Sequence, residues 1–400
     1  MKFSVVGILT IAIAGVLAGC DTTPKSARNA ILLYDEGDYV GAATTLKPAV
    51  DKEEQKASEN YVLTHCRYGS CAIAAGNMDE AEHAFYEAYK VINSGDTNDA
   101  GRQLQASVVF EGVKVWKGEP FERTMADYYL GVLYLMKHDY GNARAAFQNS
   151  LFSLRENASK DDLEHYNVVE SRFALGYFGL GFCNLRLNRA DLAAQNFALA
   201  QKYDPQLTQL IADVQQPGVN GLVFVDWGMG PRKAARGWYN EETVFGPTPS
   251  EAGPIPQPVV LLDARPATRQ RVAYDTVDTL AMAQDRRWMD IDTIKKVKAV
   301  VGTGAMAAGA GMTAAGADRR DKGLFWAGVG TTVLGAALAA SSQSDTRYWE
   351  MLPRTVDIVP VTLTPGAHEV VVQAGAQRAM VRMSYAQPAR NAPPADAIFY

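Results

Sequence analysis

The chain predicts an α+β protein: an N-terminal α-helical repeat array over 27–217, then a C-terminal mixed β domain over 218–388 that holds a Gly/Ala-rich helical hairpin at 292–344. Three observations carry this. Thr124–Arg155 reads as two amphipathic helices joined at His138-Asp139-Tyr140, and its pattern occurs in three other places. At Pro217-Gly218 the helical period gives way to short β-branched and aromatic runs. Ala299–Ala317 and Gly323–Ser344 contain no charged residue and are joined by Asp318-Arg319-Arg320-Asp321-Lys322.

In the central hairpin the first helix carries Leu130, Gly131 and Tyr134, and the second Ala143, Phe147 and Ser150. Small residues at these positions let two helices cross closely, while large ones fill the groove between them. Matching second helices carry Ala42, Leu46 and Ala49, then Ala81, Phe85 and Ala88, then Ala193, Phe197 and Ala200. In all four, the first residue of the turn (Gly37, Gly76, His138, Asn188) stands at the same offset before the key alanine. A single helix pair cannot bury its own apolar face, so such pairs stack.

These positions resemble the tetratricopeptide repeat, with Tyr177 at the aromatic position of the last copy and Pro205 at its end; Asp127 replaces that aromatic in the central copy. Tetratricopeptide arrays repeat at about 34 residues. Here the spacing from Ala42 to Ala81, Ala143 and Ala193 is wider and uneven, with insertions at Asn93–Glu122, expected to hold a helix from Leu104 to Trp116, and at Ala158–Val169. The resemblance places Tyr128, Val132, Leu135 and Met136, and Phe178, Phe182, Leu185 and Arg186, on the concave side. Of these, Tyr128, Val132, Leu135, Phe178, Phe182 and Arg186 are the expected partner-binding residues. An apolar concave face receives a peptide or helix, or it is filled by the protein's own second half; both readings stand at this point.

The N-terminus has the layout of a secretory signal over 1–19: Lys2, an apolar run Phe3–Val16, then Leu17-Ala18-Gly19-Cys20. This ending resembles a bacterial lipobox, which implies that Cys20 is acylated, becomes the mature N-terminus and anchors the chain through a tether over 20–26. Asp21 resembles the inner-membrane retention signal of enteric bacteria; inner and outer membrane both remain open. Cys66, Cys71 and Cys183 are an odd number, which leaves at least one thiol outside any intramolecular disulfide. Cys71 and Cys183 share a repeat position, where buried packing is expected.

In the second half, Leu222–Val225, Val259–Leu262, Thr355–Leu363, Glu369–Gln373 and Met380–Tyr385 read as strands, with Arg271–Tyr274 a pairing partner for the second. Asp275–Asp285 reads as a helix capped by Asp275. Thr364-Pro365-Gly366 has the chemistry of a hairpin turn, and the stretch around it resembles the hairpin of small cell-envelope β modules. Residues 389–400 read as a tail. Asp345-Thr346-Arg347-Tyr348-Trp349, Leu352-Pro353 and Lys117-Gly118-Glu119-Pro120-Phe121-Glu122-Arg123 together resemble an uncharacterised family of cell-envelope lipoproteins with the same two halves. Within the Gly/Ala-rich hairpin, Gly304, Ala308 and Gly316 are expected to face Gly323, Ala327, Gly335 and Ala339. Phe325, Trp326, Val329 and Val333 are expected to turn into its core.

Chemistry finds little purchase. The histidines His65, His83, His138, His165 and His368 are scattered, without metal-ligand spacing. Val300–Ala307 mimics a dinucleotide-binding turn, but in an Ala/Gly-saturated stretch with no clear parallel strand after it. A formal net charge of −5 offers no reason to expect nucleic acid. The sequence therefore predicts a non-enzymatic lipoprotein of the cell envelope, facing the periplasm. It would bind protein partners through its repeats and the membrane through its lipid anchor, with no cofactor or metal. The alternatives are an envelope enzyme acting on cell-wall material between the two halves, and a membrane-inserting protein that uses the Gly-rich hairpin.

Overall fold

Paired helices fill the first half: α1 (Lys25–Asp35) with α2 (Tyr39–Gln55), α3 (Tyr61–Ala74) with α4 (Met78–Ile92), α5 (Pro120–Met136) with α6 (Tyr140–Arg155), and α7 (Ala174–Arg186) with α8 (Ala190–Tyr203). A short α9 (Leu207–Val214) follows. The structure is a computed structural model and describes residues 23–93, 115–155, 171–236, 242–248, 256–267, 274–285, 305–319, 321–340, 345–375, 377–386 and 397–400. Cys20, residues 104–114 of the expected helix at Leu104–Trp116, the 158–169 insertion and Val300–Gly304 lie outside these residues, and the described end of that expected helix, 115–116, is not helical.

The four turns share one hydrogen-bond scheme. Gly37, Gly76, His138 and Asn188 all have positive φ, at 84°, 80°, 58° and 57°. The next amide in each turn reaches back to close the helix: Asp38 to the Leu33 carbonyl at 2.8 Å, Asn77 to Ala72 at 2.8 Å, Asp139 to Tyr134 at 2.9 Å and Arg189 to Asn184 at 2.8 Å. This is the left-handed helix stop, in which one residue at positive φ lets the following amide satisfy an orphan carbonyl. The helix crossings repeat as well. A Cβ on Gly69, Gly131 or Gly181 would lie 2.7, 2.9 and 2.5 Å from a ring carbon of Phe85, Phe147 and Phe197 respectively. In the first pair the aromatic is replaced by Leu46, and the corresponding buried small residue is Ala30.

After the array come β1 (Gly221–Trp227), β2 (Arg232–Arg236), β3 (Glu242–Gly246), β4 (Val259–Leu262), β5 (Arg265–Pro266) and β6 (Tyr274–Asp278). Next are α10 (Thr279–Gln284), a helix over 305–318 called α11, and α12 (Lys322–Ala340). The chain closes with β7 (Thr355–Val361), β8 (Gly366–Ala374), β9 (Gln377–Tyr385) and β10 (Ala397–Phe399). The fold is α+β, a helical array followed by sheets.

Two four-stranded sheets, in the orders β10-β1-β7-β6 and β5-β4-β8-β9, share a core of Val223, Val225, Val260, Val359, Val361, Leu363, Val370 and Met383. Three expectations change here. The Thr364-Pro365-Gly366 turn does not join a hairpin, because β7 pairs with β1 and β6 while β8 pairs with β4 and β9. Leu363 turns into the shared core and its backbone is held at both ends by the Asn220 amide, at 2.8 and 2.9 Å, so the chain crosses from one sheet to the other. Tyr274–Asp278 is a strand on β7 rather than the start of a helix. Its Thr276 hydroxyl donates to the Val356 carbonyl, Val277 is buried, and the helix begins only at Thr279 with Asp278 accepting from the Ala281 amide at 3.0 Å. The segment expected as a tail ends in β10, which lies parallel to β1.

The chain divides into two compact units, and the division does not fall at Pro217-Gly218. One unit joins Lys25–Arg232 to Pro247–Ala283 and Tyr348–Tyr400, so it contains the array together with both four-stranded sheets. The other includes Lys233–Gly246 and Gln284–Arg347, with the β2–β3 ladder and the α11–α12 hairpin. In that hairpin the seam is Gly309 against Thr332, Thr313 against Gly328 and Gly316 against Phe325. Of the expected stripe residues Gly316 is on the seam, while Ala308, Gly323 and Ala327 are exposed. Trp326 and Val333 point outward, not into a core, because backbones this close leave no room for large side chains between them. Among the described residues no helix is long and apolar enough to cross a membrane.

The Gly181 contact yields a direct test. Gly181→Leu would drive a side chain into Phe197 and should destabilise the protein by about 1–3 kcal/mol, the usual range for overpacking. Urea unfolding measures this, and an unchanged midpoint would mean that α7 and α8 do not cross there.

Candidate functional site

The side chains expected on the concave side lie inside the array's own unit. Tyr128, Val132, Leu135, Phe178 and Phe182 are all buried, and Arg186 is half-buried with its guanidinium 4.7 Å from the Phe182 ring centre. The last part of the chain fills the space around α3, α4 and α5. Trp349 is 1% exposed; its indole packs on Phe85 and Tyr129 at 5.7 and 5.8 Å and donates from Nε1 to the Ser70 hydroxyl at 3.0 Å.

Its backbone amide donates to Glu122 Oε1 at 2.6 Å, while Glu122 Oε2 accepts from the Glu119 amide at 2.7 Å. One carboxylate thus caps α5 and receives the backbone of the Trp349 segment. Next to it, Arg67 grips Glu350 through two hydrogen bonds at 2.7 and 2.5 Å, with both side chains buried. The Cys71 thiol meets the Met351 thioether at 3.4 Å. The two sequence blocks that carried the lipoprotein resemblance, around Glu122 and Trp349, therefore touch.

A second polar cluster surrounds Asp226 at the end of β1. Its Oδ2 accepts hydrogen bonds from the Tyr129 and Tyr400 hydroxyls, whereas Oδ1 has no hydrogen-bond partner among the described residues. Burial pushes the Asp226 carboxyl up to about 6, against the two phenol hydrogen bonds that lower it. Burial, and then the Asp226 charge, hold Tyr34, Tyr128, Tyr129 and Tyr400 well above the usual phenol range, so the phenols remain donors. Sequence reading missed this cluster. Tyr129, Asp226 and Tyr400 are far apart in the chain, and only the pairing of β10 with β1 brings the last of them in.

The third candidate is an open cleft of about 690 Å³ whose polar lining includes Asp213, Asp263, Arg265, Thr362, Thr364 and His368. His368 Nδ1 meets Asp263 Oδ2 at 2.7 Å and Nε2 meets the Thr364 carbonyl at 2.6 Å. With an acceptor on each nitrogen, the Thr364 carbonyl first and Asp263 second, the imidazole is held above its usual pKa. It has no nitrogen left to act as a base. Asp263 also accepts from the Glu369 amide at 3.0 Å, which pins the β4–β5 turn where Asp263 and Ala264 take positive φ. The pair works as a turn clamp. The remaining thiols fit packing roles: Cys66, Cys71 and Cys183 are free and buried, and burial raises each, Cys71 to about 12. No group of metal-ligating side chains is found among the described residues.

No protein-family model matches this chain, and no curated protein matches it either.

The Asp226 cluster sets a pH dependence with a definite sign. Its folded pKa is raised, from 3.8 to about 6, so the stability this group contributes is full below about 3.8 and lost as pH rises through about 6. Asp226→Asn does not titrate and should escape this loss. The stability of the variant relative to wild type should therefore rise by about 1–2 kcal/mol between pH 4.5 and 7.5 in urea unfolding. Parallel profiles would show that Asp226 is ionised at no cost.

Proposed function

We propose that the protein is a membrane-anchored lipoprotein of the cell envelope that acts as a protein-binding scaffold, not an enzyme. The anchor rests on Leu17-Ala18-Gly19-Cys20, with Cys20 as the acylated residue. The scaffold reading rests chiefly on one observation: Trp349, Glu350 and Met351 of the same chain pack on the array within one compact unit, which leaves the outer helices as the docking side. That outer side carries large apolar groups. Val40 on α2, Tyr86 on α4 and Phe152 on α6 are 61%, 44% and 44% exposed. Measured from the key alanines Ala42, Ala81 and Ala143, their offsets differ by whole numbers of turns, so they share one face of the second helices. Tyr86 is stiffened by stacking on Tyr89 at 6.1 Å and by Lys90 at 5.5 Å from its ring. Rigid tyrosines backed by a cation suit a protein partner better than a small substrate.

The test is recovery of partners from detergent-solubilised envelopes. Wild type should bring down a protein in fixed proportion, and Val40→Asp with Tyr86→Ala should lower that yield at least about tenfold while the melting temperature holds. Cys20→Ser should move the chain out of the membrane fraction, or leave it unprocessed, and abolish palmitate labelling. Equal partner yields from wild type and the double variant would reject the docking side; palmitate on the Cys20→Ser chain would reject the anchor.

A further inference from the structure

Among the described residues of its unit, the α11–α12 hairpin leaves one face exposed. The two helices meet backbone to backbone: a Cβ on Gly309 would lie 2.5 Å from the Thr332 nitrogen, and one on Gly328 or Gly316 would lie 2.4 Å from the nitrogen of Thr313 or Phe325. This seam uses the small side of α12 and turns its large residues outward. Trp326, Val333 and Leu334 are 66%, 57% and 67% exposed, and the adjacent Val333 and Leu334 lie about two helical turns beyond Trp326.

The polar groups on these helices point away from any outside partner. The hydroxyls of Thr313, Thr331 and Thr332 donate to the carbonyls of Gly309, Ala327 and Gly328, each on its own helix, at 2.8, 2.9 and 2.9 Å. Between Gly323 and Leu334 the sequence holds no charge. A protein–protein interface carries about one hydrogen bond per 100–200 Å², and the donors of these threonines are already used within their own helices. An acyl layer asks for none, and in lipid an unmet hydroxyl is costly, so internally satisfied threonines suit lipid. The charges collect at the hairpin's end, where Arg319 and Lys322 are exposed beside Asp318 and Asp321, the latter accepting from the Leu324 amide at the start of α12, and Trp326 sits one turn beyond Lys322. Tryptophan beside basic residues is the usual arrangement at the headgroup level.

We propose that the Trp326–Val333–Leu334 face of α12 docks into the interfacial layer of a lipid bilayer, with the hairpin lying along the membrane and Arg319 and Lys322 at the headgroup phosphates. Neither described arm is long and apolar enough to cross, so the contact is along the surface. It rests on the anchored-lipoprotein reading only in that the acyl anchor brings a bilayer within reach.

The experiment uses the chain from residue 20 onward with Cys20→Ser, so that neither an acyl group nor the apolar run Phe3–Val16 is present, and floats it with phosphatidylcholine vesicles and with mixed phosphatidylcholine–phosphatidylglycerol vesicles. The chain should float, more strongly with the anionic lipid. Brominated lipids should quench its fluorescence, and Trp326→Phe should remove the quenched component. Val333→Asp with Leu334→Asp should lower the bound fraction at least about tenfold, since two charges enter the acyl boundary. Circular dichroism verifies that this variant folds, as it should because both side chains point outward; should it not, the Trp326→Phe quenching arm decides.

Failure of the unacylated chain to float, or equal flotation of the double variant, overturns the proposal. So does concentration-dependent self-association without vesicles that the double variant abolishes, which would assign the face to a second copy. Loss of the anchor reading is seen separately, as a wild-type chain without palmitate label while the unacylated chain still floats.

Discussion

The burial of Trp349 is the constraint on which the array's unit depends. A helical repeat array has an inner apolar face that must be covered, and here the cover is part of the same chain. Trp349 is placed by its backbone amide on Glu122, its indole nitrogen on Ser70, and its ring on Phe85 and Tyr129. These four contacts come from three helices, so the residue reads the arrangement of the array as well as filling it. Removing a buried tryptophan costs about 3–5 kcal/mol through lost transfer energy and the cavity left behind. The neighbouring Arg67–Glu350 pair adds less than its geometry suggests, since both ions are taken out of water. Its use is placement: a shift of the Trp349–Met351 segment would leave both buried charges unpaired.

Much of the array was legible in the sequence because its rules are local. The positive-φ turn residues at Gly37, Gly76, His138 and Asn188 and the glycine–phenylalanine crossings follow from a short spacing that repeats. What escaped the sequence is long-range. Leu363 lies between two strands that a turn motif should pair, yet its burial in a core shared by both sheets sends them apart. Asp226 collects hydroxyls from the array and from the last residue of the sequence, with no periodicity to announce it. In the hairpin, composition identified the helices but not the seam. The choice between turning Trp326 in or out depends on which face brings the backbones closest, and the glycines win.

These findings bear on function in one direction. With Trp349 packed on the array, the large exposed groups include Val40, Tyr86 and Phe152 on the second helices and Trp326, Val333 and Leu334 on the hairpin, beside Leu32, Tyr39, Leu192, Met380 and Val381. The two sets differ in kind. The first includes a tyrosine backed by a cation and a second ring. In the second, the threonine donors are already used within their own helix. Protein contact suits the one and lipid contact the other, which is consistent with a scaffold that works at a membrane surface. The His368–Asp263 clamp and the buried thiols are accounted for by turn geometry and packing.

Hydrogen exchange of wild type and Trp349→Ala tests most directly whether array and sheets form one cooperative unit around that indole. The amides of α3 and α5 and those of β7 should open with the same free energy in wild type, and in the variant all three should lose protection together, by about 3–5 kcal/mol. If β7 loses protection while α3 and α5 keep theirs, the array stands without its cover, and the inner face is closed by contact alone rather than by a shared core.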